Sequence, residues 1–184
     1  RAATGMYRFT FVFVDDCSSD GTQAELRRRF GHRPDCNLVF HRHNQGVAGA
    51  IMTGIRNATT QIVCSIDADC SYDPLALVDM IPMLKDNVDL VTASPYHADG
   101  AVVGVPKWRL FLSRSLSAVY HVLLRHKFAT YTSCFRAYRR SSVADYRLSY
   151  GDFRGIVELV ARLDMDGGSL SEFPTTLQSR LFGT

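Results

Sequence analysis

Two pairs of carboxylates mark where this sequence could do chemistry. Asp67-Ala68-Asp69 closes a short apolar run (Ile62, Val63, Ile66), and Asp15-Asp16 closes another, Phe9-Thr10-Phe11-Val12-Phe13-Val14. A buried strand that ends in acid delivers its carboxylates to the carboxyl edge of a sheet, where open α/β folds place their ligands. Carboxylates are seldom buried without a partner, so two at a strand mouth call for a cation. A hard divalent ion such as Mg²⁺, shared with substrate phosphate oxygens, suits one or two carboxylates. A solvated acidic turn capping the next helix would use the same residues. Asp15 and Asp16 could accept hydrogen bonds from a nucleobase or ribose. Two such strands side by side would build one acidic cleft.

The cations follow downstream. Arg109 and Ser113 are four apart and share one face of a helix. Arg136, Arg139 and Arg140 stand in Thr132-Ser133-Cys134-Phe135-Arg136-Ala137-Tyr138-Arg139-Arg140. Arginine binds phosphate in a planar, bidentate fashion. A metal at Asp67 and Asp69 with Arg109, Ser113 and Arg136 is equipment for handling several phosphate groups. Arg114, Arg139 and Arg140 read as surface residues, and Asp20 and Thr22 as a turn and helix cap. Gly46-Val47-Ala48-Gly49 offers an incomplete phosphate loop of Rossmann type. His41-x-His43 reads as a solvated pair. Asn57-Ala58-Thr59 matches a glycosylation acceptor pattern, but at a helix end in a chain whose cysteines point to a reducing compartment.

Composition bounds the function classes. The 184 residues, 46% hydrophobic and 21% charged, suit one globular domain over 1–184. A formal charge of +3 is too mild to imply nucleic acid. Five cysteines without C-x-x-C spacing argue against a disulfide framework or zinc site. No apolar run is long enough to span a bilayer and no signal peptide is visible, although the chain opens on Arg1 rather than Met.

The elements that must position these groups alternate. Strands are expected at Phe9–Val14, Asn37–Phe40, before Asp67 and at Asp89–Ser94, and an extended segment at Ser169–Pro174. Helices are expected to about Phe30, after Gly46, after Asp73-Pro74, from Trp108 to about His126 and over Gly155–Leu163; Thr130–Tyr138 could be strand or loop. In the small-residue helix, Gly49 and Gly54 each cost about 1 kcal/mol against Ala, which predicts close approach by another backbone or a ligand. The pattern predicts a mostly parallel sheet with helices on both faces.

In this order and spacing the motifs resemble the family-two glycosyltransferases of GT-A fold, nearest the dolichol-phosphate mannosyltransferase and polyprenyl-phosphate sugar transferase branch. The matching residues run from Val14-Asp15-Asp16-Cys17-Ser18-Ser19-Asp20-Gly21-Thr22, through Asn44-Gln45-Gly46 and Asp67-Ala68-Asp69 with Asp73-Pro74, to Ser94-Pro95-Tyr96 and Arg109 with Ser113. Thr132-Ser133-Cys134-Phe135-Arg136, Glu172-Phe173-Pro174 and Arg180-Leu181-Phe182-Gly183 complete the series. The resemblance implies a nucleotide-sugar transferase. Asp15, Asp16, Asp67 and Gly46 would hold the nucleotide sugar, with the first two on its base and ribose. Asp67 and Asp69 would hold Mg²⁺ or Mn²⁺ on the diphosphate. Arg109, Ser113 and Arg136 would bind the acceptor phosphate, and Arg180 would sit on a loop closing over the donor, so that Asp69, Arg109 and Arg180 form the catalytic set.

The sequence departs from the family in places. The family's opening strand, with its Pro-x-x-Asn-Glu-like turn, has no counterpart, and relatives continue beyond Gly183-Thr184; the domain is expected to be truncated at both ends. Pro95 stands where many relatives have Arg, Ser71 where some have a Gln metal ligand, and Cys17 where Gly is usual. The expected reaction is inverting, metal-dependent transfer of mannose or glucose to a polyprenyl or dolichyl phosphate, at the cytoplasmic face of a membrane. A phosphate monoester carries about −1.5 to −2 charges at pH 7 and attacks without a general base. The apolar face of Trp108–Leu124 could meet that membrane or pack in the core. Transfer to a saccharide hydroxyl, or a silent nucleotide-sugar binding module, are the alternatives.

Overall fold

The computed structural model describes residues 7–85 and 87–179, with the side chain of Arg109 outside the description. Its centre is β4 (Leu90–Ser94), every residue of which is buried. Such a strand needs cover on both faces, and its alternation supplies two cores. Leu90 packs with Tyr138, Val157, Val160 and Leu163 in one cluster. Val91 and Ala93 pack with Met80, Leu84, Phe135 and Ala137 in another.

Four strands form this central sheet in the order β3 (Ile62–Ser65), β6 (Arg136–Arg139), β4, β7 (Leu170–Pro174). β6 runs antiparallel to both neighbours, and β4 is parallel to β7. Strands β3, β4 and β7 therefore share one carboxyl edge. The ambiguous stretch Thr130–Tyr138 thus contributes a central antiparallel strand to an otherwise parallel arrangement. Two parallel ribbons stand beside the sheet: β1 (Phe11–Asp15) with β2 (Cys36–Phe40), and β5 (Ala101–Val103) with β8 (Thr176–Gln178). Among the described residues β1 and β3 are not hydrogen-bonded to each other.

The helices are α1 (Thr22–Phe30), α2 (Gly46–Asn57), α3 (Leu77–Met80), α4 (Lys107–Leu123), α5 (Arg140–Val143) and α6 (Phe153–Met165). Short 3-10 turns at Pro74–Ala76 and Ile81–Leu84 flank α3, and the Asp73 carboxylate accepts from Leu75 N–H to start the first. The close backbone approach expected at Gly49 and Gly54 falls instead at Gly46, while a Cβ at Gly49 would meet the side chain of Gln45 at 2.8 Å. Gly46 has φ +80°, and a Cβ there would stand 2.6 Å from the Gly151 carbonyl oxygen. Gly49 N–H donates to that same oxygen at 3.0 Å. Gly54 meets only the side chain of Val14 at ordinary contact distance.

The expectation of Arg139 and Arg140 as surface residues is corrected, and the open question of α4 is answered. Arg139 donates to the carbonyls of Leu84 and Val88, and Arg140 to those of Ile55 and Arg56 at the end of α2, so both are half-buried ties between elements. α4 keeps its expected helical period, but its apolar face is not core: Trp108, Phe111, Leu112, Val119, Val122 and Leu123 are exposed. No described helix is long and apolar enough to cross a membrane.

Candidate active site

At the shared carboxyl edge lies a cavity of about 440 Å³. Asp67 and Asp69 line it from the turn after β3, with Ser71 and Tyr72 behind them. Asp69 Oδ1 accepts from Ser71 N–H at 3.0 Å, an Asx turn that fixes the carboxylate's direction. Cys70, inside that turn, takes φ +59°, a conformation side chains rarely adopt.

The opposite wall consists of hydroxyls. Ser113 of α4 and Thr132 share a hydrogen bond of 2.8 Å, and Thr130 bonds Ser94 at 2.8 Å. Ser133 accepts from Phe135 N–H at 3.2 Å and lies 3.5 Å from the Tyr72 hydroxyl. Burial pushes the Tyr72 phenol up to about 12, so it stays protonated. Pro95, Tyr96 and Phe153 add apolar lining, and the β5–β8 ribbon closes one side through Gln178 and Ser179. Gln178 N–H donates to the Ser71 carbonyl at 2.9 Å, tying that ribbon to the acidic turn.

Two half-buried carboxylates beside hydroxyls are hard oxygen donors. Among the described residues no group of three His, Cys, Asp or Glu could hold a metal by itself. The donor set therefore fits Mg²⁺ or Mn²⁺ shared with phosphate oxygens of a ligand, the coordination expected of an ion that keeps part of its shell for substrate.

The structure separates the other acidic strand end from this cavity. Asp15 is buried, and its Oδ1 accepts from Ser18 N–H at 3.1 Å and Gln23 Nε2 at 2.7 Å. Burial raises its pKa, but the bonds from Ser18 and Gln23 outweigh it, holding the group below the usual carboxylate range. Asp16 accepts from His41 Nδ1 at 2.7 Å, Gln45 N–H at 2.8 Å and Gly46 N–H at 2.8 Å. Here too burial opposes ionisation, and the bonds from His41, Gln45 and Gly46 more than offset it. Asp16 thus fills the anion position at the start of α2, where unpaired N–H groups gather. That position is not open to a phosphate, and Gly46 is explained by backbone approach and by its bond to Asp16. His41 is buried rather than solvated: Nε2 bonds Thr53 Oγ1 at 3.0 Å, linking Asp16 to the middle of α2.

Arg136 is also corrected. It is fully buried, with Nη1 donating to the Ile156 carbonyl at 2.9 Å and Nη2 to the Tyr131 carbonyl at 2.7 Å. A guanidinium in that position presents nothing to an acceptor phosphate. Arg109 lies in the first turn of α4, one turn ahead of Ser113, but its side chain is outside the description; Arg180 lies outside the described residues altogether. Thr130, Tyr72, Phe153 and Gln178 are wall residues that sequence reasoning missed. Only the hydroxyl run ahead of β6 could have signalled the first.

The sequence model of glycosyl transferase family 2 matches residues 2–147. The chain belongs to that family. This family 2 glycosyltransferase is 32% identical over 180 residues to polyprenol monophosphomannose synthase of Mycolicibacterium smegmatis, covering 94% of this chain and 68% of the relative. It is 26% identical over 178 residues to undecaprenyl-phosphate mannosyltransferase of Micrococcus luteus, covering 94% and 73%. Among solved structures it resembles glucosyl-3-phosphoglycerate synthase from Mycobacterium tuberculosis in complex with Mn²⁺, uridine diphosphate and glucosyl-3-phosphoglycerate. The TM-score is 0.66 at 13% identity, covering 100% of this chain and 75% of that one. The fold is the GT-A fold, and the protein is a glycosyltransferase enzyme.

Proposed function

We propose that this chain moves mannose or glucose from a nucleoside-diphosphate sugar to a polyprenyl or dolichyl phosphate, with inversion at the anomeric carbon. The observation that carries this reading is the cavity itself, acid on one wall and hydroxyls on the other, at the foot of a helix with an exposed apolar face. The names of the two mannosyltransferase relatives support the lipid phosphate as acceptor.

In the reaction an acceptor phosphate oxygen forms a bond to the anomeric carbon. The bond from that carbon to the donor diphosphate breaks, and the nucleoside diphosphate leaves with the electron pair. The acceptor is already an anion, which accords with a described lining in which Asp67 and Asp69 are the sole carboxylates and histidine is lacking. A bound divalent ion would supply positive charge against the departing diphosphate, and Asp67 and Asp69 are the residues that would hold it. The bond from Ser71 N–H to Asp69 Oδ1 fixes the direction of that carboxylate. Arg109 and Ser113 would receive the acceptor phosphate, and Arg180 would close over the donor. Asp15 is buried and both oxygens of Asp16 are engaged within the protein, so neither is assigned to the base or ribose.

α4 supplies the second half of the reading. Phe111 is 71% exposed and Val122 76%, on a helix whose Leu110 and Ser113 line the cavity. An apolar helix face beside the mouth suits a peripheral membrane surface, from which a lipid phosphate would enter. Incubation of the chain with radiolabelled GDP-mannose or UDP-glucose and a polyprenyl phosphate, with and without Mn²⁺, tests the reaction. Label should pass to the lipid fraction only with the ion. Label on a saccharide hydroxyl alone, or nucleotide bound without transfer, would overturn the reading. Replacing Phe111 and Val122 together by Ser should weaken co-sedimentation with anionic vesicles by roughly tenfold or more, since each removes apolar area that would leave water.

A further inference from the structure

Arg136 and Glu172 meet in one row of the sheet that the reaction leaves unexplained. Across the four strands Ser65 pairs with Arg136, Arg136 with Thr92, and Thr92 with Glu172. Side chains directly opposite each other across a ladder share a face. A polar row with two opposite charges therefore crosses the most buried part of the molecule, on the face that α6 covers. Buried charges are costly unless hydrogen-bonded, and of the four bonds to these two groups three go to one short segment, while Arg136 Nε has no partner among the described residues. Glu172 Oε1 accepts from Ala129 N–H at 2.8 Å and Thr130 N–H at 2.9 Å. Arg136 Nη2 donates to the Tyr131 carbonyl at 2.7 Å, while Nη1 anchors on Ile156 of α6 at 2.9 Å. Three consecutive residues are thus held by their backbones from two charged groups. The wall hydroxyls belong to this segment and its immediate continuation: Thr130, Thr132 and Ser133.

We propose that Arg136 and Glu172 are positioning residues for the acceptor wall of the cavity. Glu172 draws the 129–130 amides toward the sheet, and Arg136 draws the next carbonyl the same way. The chain then turns so that Thr130 meets Ser94 and Thr132 meets Ser113. Neither charged group touches the reacting atoms. The placing of the hydroxyls depends on both, and misplacing a wall by about 1 Å can cost up to about a hundredfold in rate. This inference rests on the proposed function only for the identity of the acceptor.

The test uses Glu172→Ala, Glu172→Gln and Arg136→Lys in the full chain. Glu172→Ala should raise KM for the polyprenyl phosphate by roughly tenfold or more while the affinity for the donor nucleotide stays within about twofold of the unaltered chain. Amide exchange should speed up at Ala129 and Thr130 in the same variant. Glu172→Gln keeps an acceptor oxygen for both amides and should restore most of the acceptor affinity. If Glu172→Ala does not fold, the comparison is made on Arg136→Lys, which loses the donor to the Tyr131 carbonyl and should speed exchange over 129–131 relative to the unaltered chain, while Glu172→Gln stays close to it. Unchanged exchange at Ala129 and Thr130, or donor and acceptor affinities falling together, would overturn the proposal. Exchange is read without any acceptor present. Faster exchange in a protein whose unaltered form transfers nothing to polyprenyl phosphate would therefore sink the acceptor reading and leave the positioning role standing.

Discussion

The molecule carries two strand ends built alike, and only one faces a cavity. β1 and β3 both run into acid, and both acidic turns place a cysteine in the left-handed region, Cys17 at φ +69° and Cys70 at φ +59°. At β1 the carboxylates are consumed by the protein itself: Asp15 closes its own turn onto Ser18 and Gln23, and Asp16 receives His41 and the first amides of α2. At β3 the carboxylates line a cavity of about 440 Å³ opposite a wall of hydroxyls. An acidic strand end is therefore an anchor or a ligand site according to what lies ahead of it. Ahead of β1 lies the start of a helix, and ahead of β3 the loop leading into β6.

The largest break in this comparison should come from Asp69→Ala. The residue lines the cavity and fixes one turn, so its loss should lower kcat/KM by roughly a hundred- to a thousandfold, about 3–4 kcal/mol of transition-state stabilisation. The unfolding free energy should move much less than this, by about 1 kcal/mol, the range for a partly exposed polar side chain. Undiminished turnover in the presence of Mn²⁺ would remove Asp69 from the site.

Asp16→Ala should do the reverse. It leaves the His41, Gln45 and Gly46 donors without their acceptor, and the cost should be roughly 2–3 kcal/mol of stability. A urea titration reads this as a lowered midpoint. Protein that remains folded should retain its kcat within about threefold, a margin small against the Asp69 effect. A loss of kcat as large as that of Asp69→Ala, with the urea midpoint unmoved, would place Asp16 in the reaction after all.

The same distinction has a pH signature. The carboxyls of Asp15 and Asp16 are both held below their ordinary range in the folded protein. A depressed folded pKa contributes stability that is present above the unfolded value, near 3.9, and is lost as pH falls through the folded one. Melting temperature should therefore drop as pH falls below about 4. Asp15→Asn with Asp16→Asn should start lower and show a flatter drop. An unaltered slope in that variant would mean that other carboxylates carry the acid sensitivity.

Some of this was legible in the residues and some was not. Strands β1 and β4 announce themselves because apolar runs need burial whatever surrounds them, and the acids that close β1 and β3 are read from the same runs. β6 is hidden because Arg136-Ala137-Tyr138-Arg139 puts one arginine on each face of the strand, so neither face reads as apolar. The charges are tolerated at the centre because carbonyls of the 131 and 156 positions receive one guanidinium, and those of Leu84 and Val88 the other. Asp16 looked like a ligand because its partners, His41, Gln45 and Gly46, lie 25 to 30 residues away in the chain. No local pattern reports such a contact. The period of α4 was readable, but which side its apolar face meets depends on the rest of the fold. The Asp67 and Asp69 turn was placed correctly at a carboxyl edge because strand direction alone decides that.

The smallest and most discriminating change is at the two left-handed cysteines. A residue with a Cβ in that region costs roughly 1–2 kcal/mol, and glycine avoids this but gives back about 0.5–1 kcal/mol through the freer unfolded chain. Cys17→Gly and Cys70→Gly should each raise stability by a few tenths to about 1 kcal/mol. Cys17→Gly also removes the weak contact of its Sγ with the Arg42 carbonyl, 3.6 Å away, which trims the gain slightly. The backbone relief is the same at both turns, and the functional consequence should not be. At Cys17 the turn serves Asp15, which is buried in its own bonds, so turnover should hold. At Cys70 the turn orients the oxygen of Asp69 that the metal would use, and a freer turn should raise the Mn²⁺ concentration needed for half-maximal rate by about two- to fivefold, a few tenths to 1 kcal/mol. Equal metal dependence in the two variants would mean that the Asp69 turn is held by Ser71 N–H and the ribbon at Gln178 alone, with the cysteine's conformation incidental to it.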